Sequence, residues 1–183
     1  TIEVARVDVL QVDGFFDDIV VDEIGNAIER ADTEGSQALV LQVDSRGAVV
    51  SDDDMAELMA EIAEAPVPIG VWVGPTGARL YGTPAQILAV ADVTGMAPGA
   101  RVGNVGSPVS DEYPLGAGLR TLRNRTVGLS EARTLDVFVQ RPGRSPTQVP
   151  VIRGNGRIAS HLQVDSWFSG GLQLNPIGQL EAQ

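Results

Sequence analysis

The chain has 183 residues, of which 43% are hydrophobic and 20% are charged, and this fits one globular domain with a single core. Its net charge of -11 disfavours electrostatic binding to nucleic acid or to an anionic membrane surface, because such binding needs a basic face. It contains no cysteine, which excludes disulfides, zinc–thiolate sites and a thiol nucleophile. No apolar run approaches the ~20 residues needed to span a bilayer.

The basic residues restrict the chemistry further. All 13 basic residues are arginines, so these 183 residues contain no lysine, and His161 is the one histidine. General-base catalysis near neutral pH uses histidine, or a lysine or carboxylate whose pKa has been shifted. The set of candidate bases is therefore small.

Strand patterns recur along the first half of the chain. Residues 2–12 alternate between apolar and polar positions, as a half-buried strand does. Residues 37–44 and 67–73 are short apolar runs, as expected of strands that are covered on both faces. These three segments predict the core strands of one sheet.

A helical pattern follows each of these strands. Asp17 and Asp18 are expected in the first turn of one helix, and Ser51 is the predicted N-cap of a second helix that ends at Pro66. A third helix is predicted over residues 84–91. Three strand–helix units predict an α/β domain with a largely parallel sheet. The apolar positions at helical spacing are Val20, Ile24, Ala27, Ile28 and Ala31 in the first helix and Met55, Leu58, Met59 and Ile62 in the second.

The second half of the chain is rich in glycine and proline. It predicts a short helix from Leu129, a strand at 137–139, and a small hairpin made of residues 148–152 and 156–159.

We divide the chain into a domain at residues 1–140 and a glycine-rich extension at residues 141–183. The extension is expected either to pack on the domain or to lead to a membrane region outside these residues.

Four strings carry a family resemblance: VDSRG at residues 43–47, VPIGVWV at 67–73, GPTGAR at 74–79 and ADVTGMAPGARVG at 91–103. Together they resemble the NfeD-type, ClpP-class membrane-bound serine protease domain of the ClpP/crotonase superfamily, over roughly residues 4–109. The resemblance implies an α/β fold built as a spiral of ββα units.

The resemblance also implies where a catalytic site would lie. In that family the loop equivalent to residues 45–48 offers backbone N–H groups to the oxyanion, a serine shortly after Gly-Ala-Arg is the nucleophile, and a later lysine is the base. Here Gly82 stands at the serine position, while Gly47, Ala48 and Thr83 are the remnants of the oxyanion loop. No Ser–Lys dyad can form in these residues, because the chain lacks lysine and arginine stays protonated.

The sequence therefore predicts a catalytically degenerate protease domain that binds or scaffolds a peptide or a membrane-protein partner. The resemblance implies attachment to a membrane, with the domain on the extracytoplasmic side, and self-association into a homo-oligomer. The composition, rich in alanine, glycine, valine and arginine, hints at a bacterial source. We expect no cofactor, no metal ion and no nucleic-acid partner.

Two alternative functions stay open. One is an active serine or threonine peptidase in which Thr83 or another hydroxyl is the nucleophile and His161 or a carboxylate is the base. The other is an acyl-CoA-binding protein of the crotonase type. Against the first, Thr83 followed by Pro84 is more typical of an N-cap and first-turn pair.

His161, flanked by Ser160 and Asp165, could suggest a catalytic triad. Neighbours on one short segment seldom face each other as nucleophile, base and orienting group must, so a surface histidine is favoured. The acidic run at residues 52–54 is explained by a helix start rather than by a metal site.

Three further features receive structural interpretations. Arg120, Arg123 and Arg125 form a basic cluster that is expected to pair with local carboxylates or to contact a partner on a solvated surface. Trp72 is expected in the core, whereas residues 167–168 could pack on the domain or on a neighbouring subunit.

Overall fold

The computed structural model describes residues 7–138 in full and, beyond them, the backbone of residues 149–152, 158–162, 172–175 and 179–182. The described strands are β1 Val7–Asp13, β2 Ala38–Asp44, β3 Ile69–Val73, β4 Arg79–Tyr81, β5 Val93–Met96, β6 Arg101–Gly103, β7 Thr126–Val127, β8 Val149–Ile152, β9 Ile158–Leu162, β10 Leu172–Asn175 and β11 Gln179–Ala182. The helices are α1 Asp18–Thr33, α2 Asp52–Glu64, a 3₁₀ helix Thr83–Ala89, α3 Ala117–Thr121 and α4 Leu129–Thr134.

A parallel sheet with the strand order β1-β2-β3-β5 forms the centre of the domain. Every residue of β3 is buried, and so is every residue of β2 except Asp44. Strands covered on both faces are apolar throughout, which is why residues 37–44 and 67–73 show no alternation. The predicted parallel sheet is confirmed.

A second, smaller layer lies after the ends of the central strands. There β4 pairs in parallel with β6, and β6 pairs with β7 in the opposite direction. Two isolated parallel bridges, Ser45 to Leu80 and Phe16 to Ala48, continue this layer toward the start of the chain. Each unit thus runs from a central strand to a short extended segment in the second layer and on to a helix. The predicted spiral of ββα units is confirmed.

The starts of the two long helices follow from their capping residues. Asp17 is the N-cap of α1 and accepts a hydrogen bond from the amide of Val20 at 2.8 Å, so only Asp18 lies in the first turn. Ser51 caps α2, and the carboxylate of Asp54 bonds back to the Ser51 amide at 3.0 Å. This reciprocal capping box satisfies two amide groups that a helix start otherwise leaves unpaired.

The predicted buried stripes are confirmed with one exception. Val20 is only partly buried, whereas the other eight predicted positions of α1 and α2 and the Trp72 ring are buried in the core.

Two predicted elements differ from the structure. The helix predicted over residues 84–91 is present, but it is a 3₁₀ helix that spans Thr83–Ala89 and so starts one residue earlier and ends two residues earlier. Val137 and Phe138 are not in a strand, because they follow the end of α4 without a neighbouring strand to pair with in the described residues. The predicted short helix from Leu129 is present as α4.

Of the extension, the structure describes two antiparallel strand pairs. β8 pairs with β9, which confirms the predicted hairpin, and β10 pairs with β11. The boundary between a domain at residues 1–140 and an extension at residues 141–183 stays a prediction.

Candidate functional site

The spiral brings the two parts of the predicted site together. The loop after β2 runs beside β4, because the Ser45 amide donates to the Arg79 carbonyl at 2.6 Å and the Tyr81 amide donates to the Ser45 carbonyl at 3.0 Å. Gly82 follows directly after β4, so a Cβ atom built on it would lie 3.3 Å from the Cα of Gly47. We call this meeting point the Gly47–Gly82 junction, made of Gly47, Ala48, Gly82 and Thr83.

Gly82 has a backbone conformation that suits glycine. Its φ of 76° and ψ of -158° lie in a region that residues with a side chain almost never adopt. Its amide donates to the carbonyl of Gly103 at 3.2 Å, which continues the pairing of β4 with β6. The residue at the predicted nucleophile position is thus held in a conformation that a serine could not take without strain.

Thr83 has a different place from the one predicted. Gly82 is the N-cap of the 3₁₀ helix, and Thr83 is its first residue, with Pro84 next. No side chain caps this helix, so the expected N-cap role of Thr83 is wrong. The reason is that the turn at Gly82, with its positive φ, sends the chain into the helix directly.

The junction presents unused amide donors. Within residues 7–138, the amides of Ala48 and Thr83 donate to no acceptor, and both residues are half-buried. The amide of Gly47 differs, since it faces the hydroxyl oxygen of Ser45 at 3.4 Å, a long contact. Thr83 opens a helix, where amides need external acceptors, and Ala48 lies in the loop before α2, so a ligand carbonyl or oxyanion could accept from either amide.

Ser45 is a site residue that the sequence did not single out. It is 1% exposed, and its hydroxyl donates to the carbonyl of Gly47 at 3.0 Å. This bond fixes the loop and occupies the hydroxyl that lies closest along the chain to the junction. Only the tertiary fold shows it, since a serine after a strand carries no signal of burial.

The described part of the junction lacks a general base. The nearest carboxylate along the loop is that of Asp44. It accepts a hydrogen bond from the Arg79 amide at 2.9 Å and so helps to hold β4 against the end of β2. Within residues 7–138 no group of three histidine, cysteine or acidic side chains could hold a metal ion. The side chains of Ser160, His161 and Asp165 lie outside the described residues, so the triad hypothesis stays untested.

Two large apolar side chains beside the junction, Phe15 and Val49, and a third in the first turn of α1, Ile19, are exposed. Phe15 is 55% exposed, Ile19 77% and Val49 69%. The Phe15 ring lies beside Gly47, where a built Cβ would meet its Cε1 at 3.6 Å. No local pattern predicts this surface, because Phe15 follows β1 whereas Val49 follows β2.

A cavity of about 410 Å³ opens beside this surface at the carboxyl ends of β1 and β2. Its lining residues are Gln11, Asp13, Gly14, Phe15, Asp44, Arg46 and Pro75. Phe15 therefore belongs both to the wall of the cavity and to the edge of the junction.

A larger groove of about 620 Å³ lies elsewhere, between α1 and α2. Glu61 lines it, and partial burial, followed by the nearby carboxylates of Glu57, Asp22 and Glu29, raises the pKa of Glu61. None of its lining residues belongs to the junction. Its size alone does not make it the site, because none of the residues that the sequence predicted for the site lines it.

The other sequence candidates have structural roles. Residues 52–54 form the first turn of α2, as expected. In the basic cluster, Arg125 pairs with Glu131 at 2.7 Å and Arg123 donates to the Ser107 hydroxyl at 2.6 Å, both on the surface. Residues 167–168 lie outside the described part of the chain.

Comparison with known proteins gives structural neighbours only. No protein-family model and no curated protein sequence matches the chain. Among solved structures, it is similar to a membrane-bound stomatin-specific protease, a mutant in complex with a substrate peptide, with a TM-score of 0.66 and 17% sequence identity over 87% of this chain and 88% of that one.

Two further solved structures share this fold. The ClpP protease catalytic domain from Plasmodium falciparum has a TM-score of 0.55 and 12% identity, covering 75% of this chain and 89% of that one. An enoyl-CoA hydratase from Shewanella pealeana has a TM-score of 0.56 and 16% identity, covering 74% and 65% respectively. At such identities the likeness establishes the fold, which is the ClpP/crotonase fold that the sequence motifs predicted.

No helix in the part of the chain that the structure describes is long and apolar enough to cross a bilayer.

Proposed function

We propose that this domain binds peptide or protein segments at the Gly47–Gly82 junction without hydrolysing them. The observation that carries the proposal is the backbone of Gly82, whose φ of 76° and ψ of -158° exclude an unstrained side chain at the nucleophile position. The donors of a ligand site are nevertheless present, since the amides of Ala48 and Thr83 have no acceptor within residues 7–138.

The absence of lysine from the sequence supports the same proposal. A serine or threonine hydroxyl needs a partner that removes its proton, and a guanidinium cannot do so because it stays protonated. Binding needs only the amide donors and the exposed apolar side chains, both of which the junction offers.

The resemblance to NfeD-type proteases and the likeness to a membrane-bound protease support a role within a membrane-associated, self-associating protein. Light scattering of the purified chain would measure self-association directly. The side of the membrane is proposed from the sequence resemblance alone.

The test combines binding with turnover. We expect the 183-residue chain to bind members of a random octapeptide library, to leave them uncut as judged by mass spectrometry, and to form no covalent adduct with a fluorophosphonate. An adduct or cleavage that disappears in a Thr83→Val variant would instead establish the peptidase alternative.

Two proline variants form a matched pair that locates the binding site. Ala48→Pro removes an amide donor that the fold does not use, so it should weaken peptide binding without lowering the unfolding midpoint. Val49→Pro removes the amide that donates to the Phe16 carbonyl at 2.8 Å, so it should lower the midpoint. Unchanged binding by a folded Ala48→Pro variant would place the site elsewhere.

A further inference from the structure

The cavity beside the junction contains two carboxylates that face each other across neighbouring strands. Asp13 of β1 is in register with Asp44 of β2, so the two side chains project from the same face of the sheet. Like charges directly opposite each other in a sheet are destabilising. A local arrangement that costs stability calls for a compensating partner.

Neither carboxylate is compensated by an ion pair among residues 7–138. The ion pairs found there join Arg30 to Glu23 and Arg125 to Glu131, and neither Asp13 nor Asp44 takes part in one. Arg46 lines the same cavity but is exposed and forms no ion pair with either carboxylate.

Each carboxylate keeps an oxygen for a ligand. One oxygen of Asp13 accepts from the Gln11 side-chain amide at 2.9 Å, and one oxygen of Asp44 accepts from the Arg79 amide at 2.9 Å. No other hydrogen bond to either carboxylate is made within the described residues. The two remaining oxygens suit a donor group with several N–H bonds in a plane, which is the geometry of a guanidinium.

The other walls of the cavity fit the rest of an arginine side chain. Phe15 presents a ring that is 55% exposed, and Pro75 adds an apolar surface. A guanidinium stacks on an aromatic face, and its aliphatic stem packs on apolar groups.

The same face of the sheet carries a buried amide, which lies next to the cavity lining but is not part of it. Gln42 is 1% exposed, and its Nε2 atom has no acceptor among the described residues. It lies in register with Gln11 and on the face of β2 that carries Asp44, both of which line the cavity.

We infer that this cavity is a specificity pocket for an arginine side chain of the peptide bound at the junction. The inference rests on the proposed function, since Phe15 joins the pocket to Gly47. The domain would therefore select peptide segments in which an arginine is next to the residues bound over Gly47 and Ala48.

The experiment compares two octapeptide libraries that are random except at one central position, which is arginine in one and citrulline in the other. Citrulline keeps the shape of arginine without its charge. We expect the 183-residue chain to bind the arginine library about tenfold more tightly, since hydrogen bonds to charged groups are the stronger class.

Two isosteric variants assign this preference to the pocket. In Asp13→Asn and in Asp44→Asn the difference between the libraries should fall to about twofold or less, because each removes one of the paired charges. Asp53→Asn, which removes an exposed charge at the start of α2, should keep the full difference.

The outcomes separate the inference from the proposed function. Equal binding of the two libraries, or an arginine preference that persists in both pocket variants, overturns the arginine pocket while peptide binding stands. Failure of both libraries to bind overturns the proposed function together with the inference built on it.

Discussion

At the scale of single residues, the chemistry of the junction depends on Gly82. Its carbonyl and amide hold the start of the 3₁₀ helix and the end of β4, with bonds to Ala85 and Gly103. A side chain here would meet both a disfavoured backbone conformation and the nearby Cα of Gly47 at 3.3 Å. The glycine is therefore required by the present backbone, and a serine would demand a different path for the chain.

This requirement predicts the effect of Gly82→Ala. We expect it to lower the free energy of unfolding by about 3 kcal/mol, since a non-glycine residue in this region costs roughly 1–3 kcal/mol before crowding is counted. Gly35→Ala is the control, because Gly35 also has a positive φ, 68°, but no atom within 4 Å of a built Cβ. It should cost about 1 kcal/mol. Urea denaturation measures both, and equal losses would show that neither the backbone region of Gly82 nor crowding against Gly47 adds to the cost of a side chain.

At the scale of elements, the helix that follows the oxyanion-like loop is fixed by its capping box. The Ser51 hydroxyl accepts from the Asp54 amide, and the Asp54 carboxylate accepts from the Ser51 amide. The Ser51 hydroxyl also donates to the Asp54 carboxylate at 2.6 Å. The hydrogen bond from the Ser51 hydroxyl, and to a smaller extent the one from the Ser51 amide, lower the pKa of the Asp54 carboxyl. The start of α2 in turn sets where residues 45–50 leave the junction.

The lowered pKa predicts a pH dependence with a definite sign. An acid whose pKa is lower in the folded chain adds stability above its unfolded pKa, and that stability is lost as the pH falls through its folded pKa. Asp54→Asn should therefore destabilise the chain at pH 7, and the difference from the parent should shrink toward zero near pH 2.

Urea unfolding midpoints at the two pH values measure this. Asp53→Asn removes a charge from the same turn but leaves the capping box intact, so it should shift the midpoint little at either pH. The same loss for Asp54→Asn at both pH values would contradict a role for the carboxylate charge.

At the scale of the whole molecule, Gln86 connects the third unit of the spiral to the fourth. Its side chain is buried in the 3₁₀ helix that follows the junction. Its Nε2 atom donates to the carbonyls of Val105 and Ser107, each at 2.8 Å, and its Oε1 atom accepts from the Val109 amide at 3.1 Å. These three hydrogen bonds give the loop after β6 the partners that a neighbouring strand would otherwise supply.

Removing the hydrogen bonds of Gln86 should lower the stability of the fold. We expect Gln86→Leu to lower the free energy of unfolding by about 3 kcal/mol, because it leaves the buried Val105 carbonyl without a partner, at roughly 1–3 kcal/mol, and removes two further hydrogen bonds in part-buried surroundings. The exposed Gln37→Leu change, as a control, should alter it by less than about 0.5 kcal/mol. A loss below about 1 kcal/mol for Gln86→Leu, measured by urea denaturation, would mean that water replaces the bonds of the side chain.

The sequence by itself determined the features that depend on neighbours along the chain. Ser51 caps α2 because an acid lies three residues on, and Met55 and Leu58 face the core because a helix brings them to one side. The apolar runs of β2 and β3 predicted a covered parallel sheet for a similar reason. The motif strings added the superfamily fold, which the structural neighbours share.

Only the tertiary structure decided what lies next to what across the spiral. The contact between Gly47 and Gly82 depends on the pairing of Ser45 with Leu80, and the carboxylate pair depends on the register of β1 with β2. Likewise, the conformation of Gly82 moved the helix start to Thr83, against the local preference for a threonine cap. Such contacts join residues far apart in the chain, so packing and register fix them, and no local pattern of side chains records them.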